Sequence, residues 1–372
     1  MPEQVHSGLE GIVAEATRLS KVDGLAGRLT IAGYEVEELA PQAEFEQVAY
    51  LLWYGQLPSA QELSHLKSDL SARRRLPSAT WALLREAAKS SAPAMDVLRM
   101  AAATLSLGAK PSPEEEARTL LAAFPSIIGG YWRLKNGEKP VEVREELGHG
   151  AYCLHQIFGG EIAREQARGL ETYLNTVCDH GFNASTFTAR VIVSTHSDLI
   201  SAVTGAVGAL KGPLHGGAPG PALDMVIEIG KPERAESVIR GKLERGERLM
   251  GFGHRVYRVR DPRAEVLKAA AERFYGTEGN RELYDLACTV EKIALRLLAE
   301  HKPGREIKTN VEFYTALLLH GLALPNELFT PMFAAGRVLG WTAHCLEQLR
   351  EGRLIRPQSA YIGPTGLRFP AV

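Results

Sequence analysis

The chain has little with which to build a metal centre or a disulfide framework. Its four cysteines, Cys153, Cys178, Cys288 and Cys345, are scattered through 372 residues and form no C-x-x-C pair. That argues against both and fits a reducing cytoplasm. H-x-x-x-H and H-E-x-x-H spacings are missing too, so no metal is expected. Nor is there an excess of one charge: 43 Lys and Arg meet 44 Asp and Glu, for a formal net charge of −1. A nucleic-acid partner, which needs a basic field, is therefore not expected, and anionic ligands must be met by local arginines. No apolar run approaches the ~18 residues of a membrane helix. The nearest, 184–210, is broken by Arg190, His196 and Asp198. Met1-Pro2-Glu3-Gln4 opens no secretory pattern, so the reading is a soluble cytoplasmic protein with no membrane partner. A P-loop and βαβ alternation are also lacking, which removes the usual nucleotide folds.

What is present is ordinary globular composition, 45% hydrophobic and 23% charged, in a chain long enough for about two domains of roughly 150 residues. A short alternating stretch, Gly27 to Tyr34, reads as a small strand or hairpin. From Phe45 onward helical periodicity dominates. Apolar spacing and caps predict helices over 60–72, 80–89, 94–106, 113–134, 163–178, 184–196, 199–210, 222–229, 235–245, 263–275, 281–300, 311–322 and 328–350. Prolines and glycines fall between these segments more than within them. The fold class expected is all-α. The stretch 184–210 is packed with Ala, Ser, Thr, Gly and Val, which suits either interior helices or a subunit-contact layer. The stretch 231–308 is richer in Glu, Lys and Arg and reads as part of a smaller, hinged unit.

Three short islands carry the chemistry. His215 lies in Gly212-Pro213-Leu214-His215-Gly216-Gly217, just past a helix end. Glycines let backbone approach a ligand there, and a neutral imidazole can donate to a developing enolate oxygen. The same framing suits a plain C-cap turn. His254 sits in Gly251-Phe252-Gly253-His254-Arg255, and Arg255, Arg258, Arg260 and Arg263 fall within nine residues. Such a cluster suits carboxylates or phosphates, although a solvated basic loop looks alike. Glu312 opens a helix after Thr309-Asn310, where it either complements the dipole or acts as a general base. His180, in Cys178-Asp179-His180-Gly181-Phe182-Asn183, is a further polar candidate just before a helix capped by Asn183.

The motif around His180, these three islands in order, and Leu354-Ile355-Arg356-Pro357 resemble the compact bacterial and archaeal form of the citrate synthase family, from Gly8 to Tyr361. The resemblance implies an all-α fold with a minor N-terminal β-hairpin, a large domain over 1–216 and 324–372, a small domain over 217–323, and a homodimer. It implies condensation of acetyl-CoA with oxaloacetate to citrate and CoA, with coenzyme A thioester as substrate and no other cofactor. His215 would hold the thioester oxygen, His254 would polarise the ketone, and Glu312 would take the methyl proton. His180, Asn183, Arg263 and Arg337 would hold oxaloacetate, joined by Arg356 from the other subunit. Phe333 would line the acetyl site. Arg258 and the Leu249, Gly251 and Gly253 backbone would meet coenzyme A.

One departure stands out: most members of the family carry aspartate where this chain has Glu312. The extra methylene moves a carboxylate by roughly 1 Å unless the backbone compensates. 2-Methylcitrate synthesis from propionyl-CoA is the alternative, because one methylene is worth only about 1–3 kcal/mol of discrimination. A lyase would bring a nucleotide-activating domain that the missing P-loop argues against. A catalytically weak homologue kept as a binding protein is the reading that Glu312 itself invites.

Overall fold

The computed structural model describes residues 5–9, 11–108, 111–216, 220–253, 257 and 259–368. Among these, three short strands and sixteen α-helices follow one another. The strands are β1 (Ser20–Asp23), β2 (Arg28–Ile31) and β3 (Tyr34–Glu35). The helices are α1 (Val36–Gln42), α2 (Phe45–Tyr54), α3 (Ala60–Ala72), α4 (Ser78–Lys89), α5 (Ala94–Thr104), α6 (Pro113–Lys135), α7 (His149–Phe158) and α8 (Arg164–Val177). Then come α9 (Ala184–Val193), α10 (Leu199–Leu210), α11 (Gly220–Ile229), α12 (Pro232–Glu244), α13 (Pro262–Thr277), α14 (Arg281–His301), α15 (Val311–Gly321) and α16 (Phe329–Glu351).

The strands form one antiparallel sheet in the order β1-β2-β3, with Val22 opposite Leu29 and Ile31 opposite Tyr34. Leu29 and Ile31 are buried, while Arg28 is exposed and Thr30 half-buried, the period-two alternation of a half-covered strand. The expected hairpin is thus extended by a third short strand. Two helices escape the apolar periodicity. α1 carries Pro41, and α7 buries polar side chains at His149, His155 and Gln156, so neither shows a clean apolar stripe.

Helix starts follow local chemistry. Ser59 with Glu62 and Ser112 with Glu115 form capping boxes ahead of α3 and α6, and Asp198 accepts from Ser201 N ahead of α10. Each such cap is worth about 1 kcal/mol. α16 is the central element. From Phe329 to Gln348 almost every residue is buried, and it packs on α2, α5, α6, α8, α9 and α10. A helix buried on all sides sits at the middle of the core. α11, α12, α14 and α15 pack on one another, and α13 joins them to α1 and α8.

Buried charge inside this core is paired. Arg190 donates to Glu347 Oε2 at 2.7 Å, Gln348 Oε1 at 2.9 Å and His344 Nδ1 at 2.8 Å. A guanidinium can only donate, so Nδ1 accepts and the His344 proton sits on Nε2, directed at Asp179 Oδ1, 3.1 Å away. Burial pushes the Asp179 pKa up. Hydrogen bonds from His344 and the Ser20 hydroxyl, and the charge of Arg337, bring it below the usual carboxylate range. Ser20 Oγ also accepts from Gly181 N at 2.9 Å. The backbone on both sides of His180 is thereby tied to α16 and to β1.

Among the described residues no helix is long and apolar enough to cross a membrane, and no group of His, Cys, Asp or Glu is placed to hold a metal ion.

Candidate active site

A cavity of about 720 Å³ lies where α9, α13, α15 and α16 converge. Seven of the sequence candidates line it: His180, Asn183, His215, Arg263, Glu312, Phe333 and Arg337. They come from positions as far apart as 180 and 337, so helix packing assembles the site. The N-terminal residues Gly8, Leu9, Ile12 and Ala14 add an apolar wall.

His215 sits on the turn that leaves α10, where its own N–H donates to Gly212 O at 2.9 Å and Gly216 N donates to the same oxygen at 3.0 Å. Gly216 is required by contact: a Cβ there would fall 2.0 Å from Leu210 O. The imidazole Nε2 faces Ser185 Oγ at 2.7 Å and receives Ser185 N–H at 3.3 Å. An amide N–H can only donate, so Nε2 is the acceptor and the ring proton is on Nδ1. Trp341 Nε1 donates to Ser185 Oγ at 3.0 Å, and Asn183 Oδ1 lies 2.8 Å from the same hydroxyl. Burial, and then the charge of Arg337, pushes the His215 pKa down to about 4. The imidazole is therefore neutral near pH 7, with its donor proton on the nitrogen that Ser185 leaves open.

Glu312 is placed by its backbone. Asn310 caps α15 by accepting from Glu312 N at 2.9 Å, and Asp261 Oδ2 accepts from Val311 N at 3.3 Å. The preceding residues pair with the second island. Gly253 N donates to Lys308 O at 2.8 Å, Asn310 N to Gly251 O at 2.9 Å, and Asn310 Nδ2 to Gly253 O at 2.8 Å. Gly251 has φ +87° and its Cβ would sit 2.9 Å from the Phe313 ring, so only glycine lets these segments meet. The Glu312 carboxylate accepts no hydrogen bond from a described residue. Burial raises its pKa, and Arg248 and Arg263 pull the other way. A carboxylate that is desolvated and unbonded is more basic than one in water.

The two arginines differ. Arg263, on α13, is held by Asp261: Nε to Oδ1 at 3.0 Å and Nη2 to Oδ2 at 2.9 Å. Burial opposes its charge, but Asp261 more than offsets that. Arg337, on α16, donates from Nε to Val177 O at 2.7 Å and stacks over the Phe333 ring at 4.6 Å. Among the described residues its Nη groups have no hydrogen-bond acceptor. Burial lowers its pKa to about 10, still well above neutrality, so it remains cationic. The open Nη face of Arg337, with Arg263 lining the same cavity, suits a carboxylate-bearing ligand. His180 Nε2 lies 3.1 Å from Tyr257 OH.

A second cleft, of about 1110 Å³, shares Leu214 with the first. Leu249 and Gly253 line it, with Arg248, Lys302, Arg305 and Lys308 among its walls. Sequence reasoning misses these four cations, and it misses Ser185 and Trp341. The basic run Lys302 to Lys308 is the available signal for the former, and nothing local marks the latter. Gly251 lies outside this lining, packed on Phe313. Arg356 is exposed on the C-terminal tail and lines neither cavity. His254 and Arg258 lie outside the described residues.

Comparison with known proteins places nearly the whole chain in one family. Residues 8–358 match the family model of the citrate synthase C-terminal domain. Citrate synthase 2 of Bacillus subtilis is 39% identical over 97% of both chains. A 2-methylcitrate synthase of Shewanella oneidensis is 40% identical over 96% of this chain and 94% of its own. The crystal structure of citrate synthase from Pyrobaculum aerophilum superposes with a TM-score of 0.89 at 36% identity, covering 99% of this chain and 94% of that one. A ternary complex of carboxymethyl coenzyme A and oxaloacetate with citrate synthase from Thermoplasma acidophilum gives 0.87 at 31% identity, covering 100% and 99%. Matched along nearly its whole length, the chain belongs to the citrate synthase family and is an acyl-transferring enzyme of that type.

Proposed function

We propose that this enzyme condenses acetyl-CoA with oxaloacetate and water, giving citrate and coenzyme A. The observation that carries the reading is a neutral imidazole donor and a desolvated carboxylate on the wall of one cavity, beside two buried arginines. A thioester methyl is a very weak acid, so its proton leaves only if the oxygen is stabilised in the same step. Glu312 takes that proton while Nδ1–H of His215 donates to the thioester oxygen, giving an enol. The enol carbon adds to the ketone of oxaloacetate, whose oxygen takes a proton from His254. Water then cleaves the thioester and releases the thiol.

Arg263 and Arg337 hold the dicarboxylate, with His180 and Asn183 beside it, and Phe333 meets the acyl group. The second cleft takes coenzyme A, its phosphates meeting Arg248, Lys302, Arg305 and Lys308 beside Leu249 and Gly253, and the Gly251 backbone and Arg258 contribute to holding the same ligand. No metal and no further cofactor takes part. The segment 217–323 acts as a smaller domain whose closure excludes water and protects the thioester from premature hydrolysis. A homodimer completes the site: Arg356, which lines neither cavity of its own chain, reaches that of a second copy.

The test is thiol release from acetyl-CoA and from propionyl-CoA, each with and without oxaloacetate. Oxaloacetate-dependent release that favours acetyl-CoA supports the proposal. A preference for propionyl-CoA reassigns the enzyme to 2-methylcitrate, the activity named for the Shewanella oneidensis relative. Silence with both overturns the base assignment to Glu312.

A further inference from the structure

Glu291 belongs to α14 and lines neither cavity, yet it is a buried carboxylate, 7% exposed. Burying such a group is costly unless its oxygens are satisfied. They are, by an unusual set of partners. Thr309 Oγ1 donates to Oε1 at 2.7 Å, and Tyr314 OH and Lys268 Nζ donate to Oε2 at 2.5 and 2.8 Å. Thr309 and Tyr314 stand on either side of Glu312 in the chain, one in the loop entering α15 and the other in its first turn. Lys268 belongs to α13, the helix that carries Arg263 at its start, and its ammonium also lies 5.4 Å from the Tyr314 ring.

One carboxylate thus gathers the approach to Glu312, the turn beyond it and the helix of a substrate arginine. The Glu312 side chain has no hydrogen bond of its own to a described residue, so its position depends on where its backbone is pinned. We propose that Glu291 is a positioning residue for Glu312, fixing the first turn of α15 against α13 so that base and substrate arginine keep their separation. The role matters more with glutamate than with a shorter aspartate, because the longer side chain has one more torsion to restrain. The inference rests on the reading of Glu312 as the base.

The experiment compares Glu291→Gln with the unaltered enzyme, using acetyl-CoA and its methyl-deuterated form at saturating oxaloacetate. Displacing a base by ~1 Å costs on the order of a hundredfold, so kcat falls by about ten- to a hundredfold. The oxaloacetate KM stays within about twofold. The deuterium isotope effect on kcat increases, because proton removal becomes the slow step. Tyr314→Phe, which keeps the ring and removes one donor, gives a smaller fall of the same kind, and Lys268→Arg retains kcat. A lower melting temperature with unchanged kcat and isotope effect in Glu291→Gln shows a staple for stability alone and overturns the proposal. If that variant does not fold, Tyr314→Phe with normal kcat and isotope effect overturns it instead. Glu312→Gln separates the two readings. Full activity there removes the base assignment itself, whereas loss of activity there beside a normal Glu291→Gln removes only the positioning role.

Discussion

The two walls of the cavity hold their reactive groups in opposite ways. On the α9–α10–α16 wall, His215 is bonded through its side chain: Ser185 meets Nε2, and Trp341 and Asn183 meet Ser185. On the α13–α15 wall, Glu312 has no side-chain partner among the described residues, and it is held through bonds to the residues around it. The difference suits the roles proposed for the two groups. A donor gains from a partner that selects its tautomer, so bonding the far nitrogen strengthens it. A base is weakened by hydrogen bonds to its charged form, which lower its pKa. Side-chain anchoring suits the first group, and backbone anchoring leaves the second free to accept a proton.

Breaking the side-chain-anchored wall has graded effects, the largest at His215. His215→Ala removes the donor and lowers kcat by roughly 10²–10³-fold, read as oxaloacetate-dependent thiol release. Arg337→Lys replaces a forked guanidinium with a point charge and raises the oxaloacetate KM by roughly tenfold, with a smaller effect on kcat. Ser185→Ala removes only the hydroxyl behind His215 and leaves the backbone N–H. Its kcat falls by about tenfold with KM little changed.

The smallest effect sharpens the comparison by pH. Under the proposed mechanism activity needs Glu312 ionised; burial raises its pKa, whereas burial lowers that of His215 to about 4. As pH falls from 7, kcat/KM declines through the Glu312 ionisation first, as a limb of slope one. A limb of slope two over that range would mean that His215 titrates together with it.

Much of this site is legible in the amino-acid sequence. The islands at His215 and His254 stand out because glycine and proline frame them locally, and Glu312 because it opens a helix after Asn310; the structure shows contacts behind two of those glycines, at Gly216 and Gly251. Helices with clean apolar spacing, such as α3 and α10, have the bounds that their spacing and caps predict. α7 does not show itself this way, because its buried face includes two histidines and a glutamine that periodicity counts as polar. Ser185, Trp341 and Glu291 stay hidden for a related reason. Their importance lies in bonds to residues up to 156 positions away, and such pairings leave no local pattern.

The most direct measurement is oxaloacetate-dependent thiol release from acetyl-CoA by the unaltered enzyme and by Glu312→Gln, side by side at pH 7. Glutamine keeps the size of the side chain and removes the proton acceptor. Release by the unaltered enzyme and a fall on the order of 10³-fold in the variant is the predicted result. Equal rates in the two proteins would contradict the account.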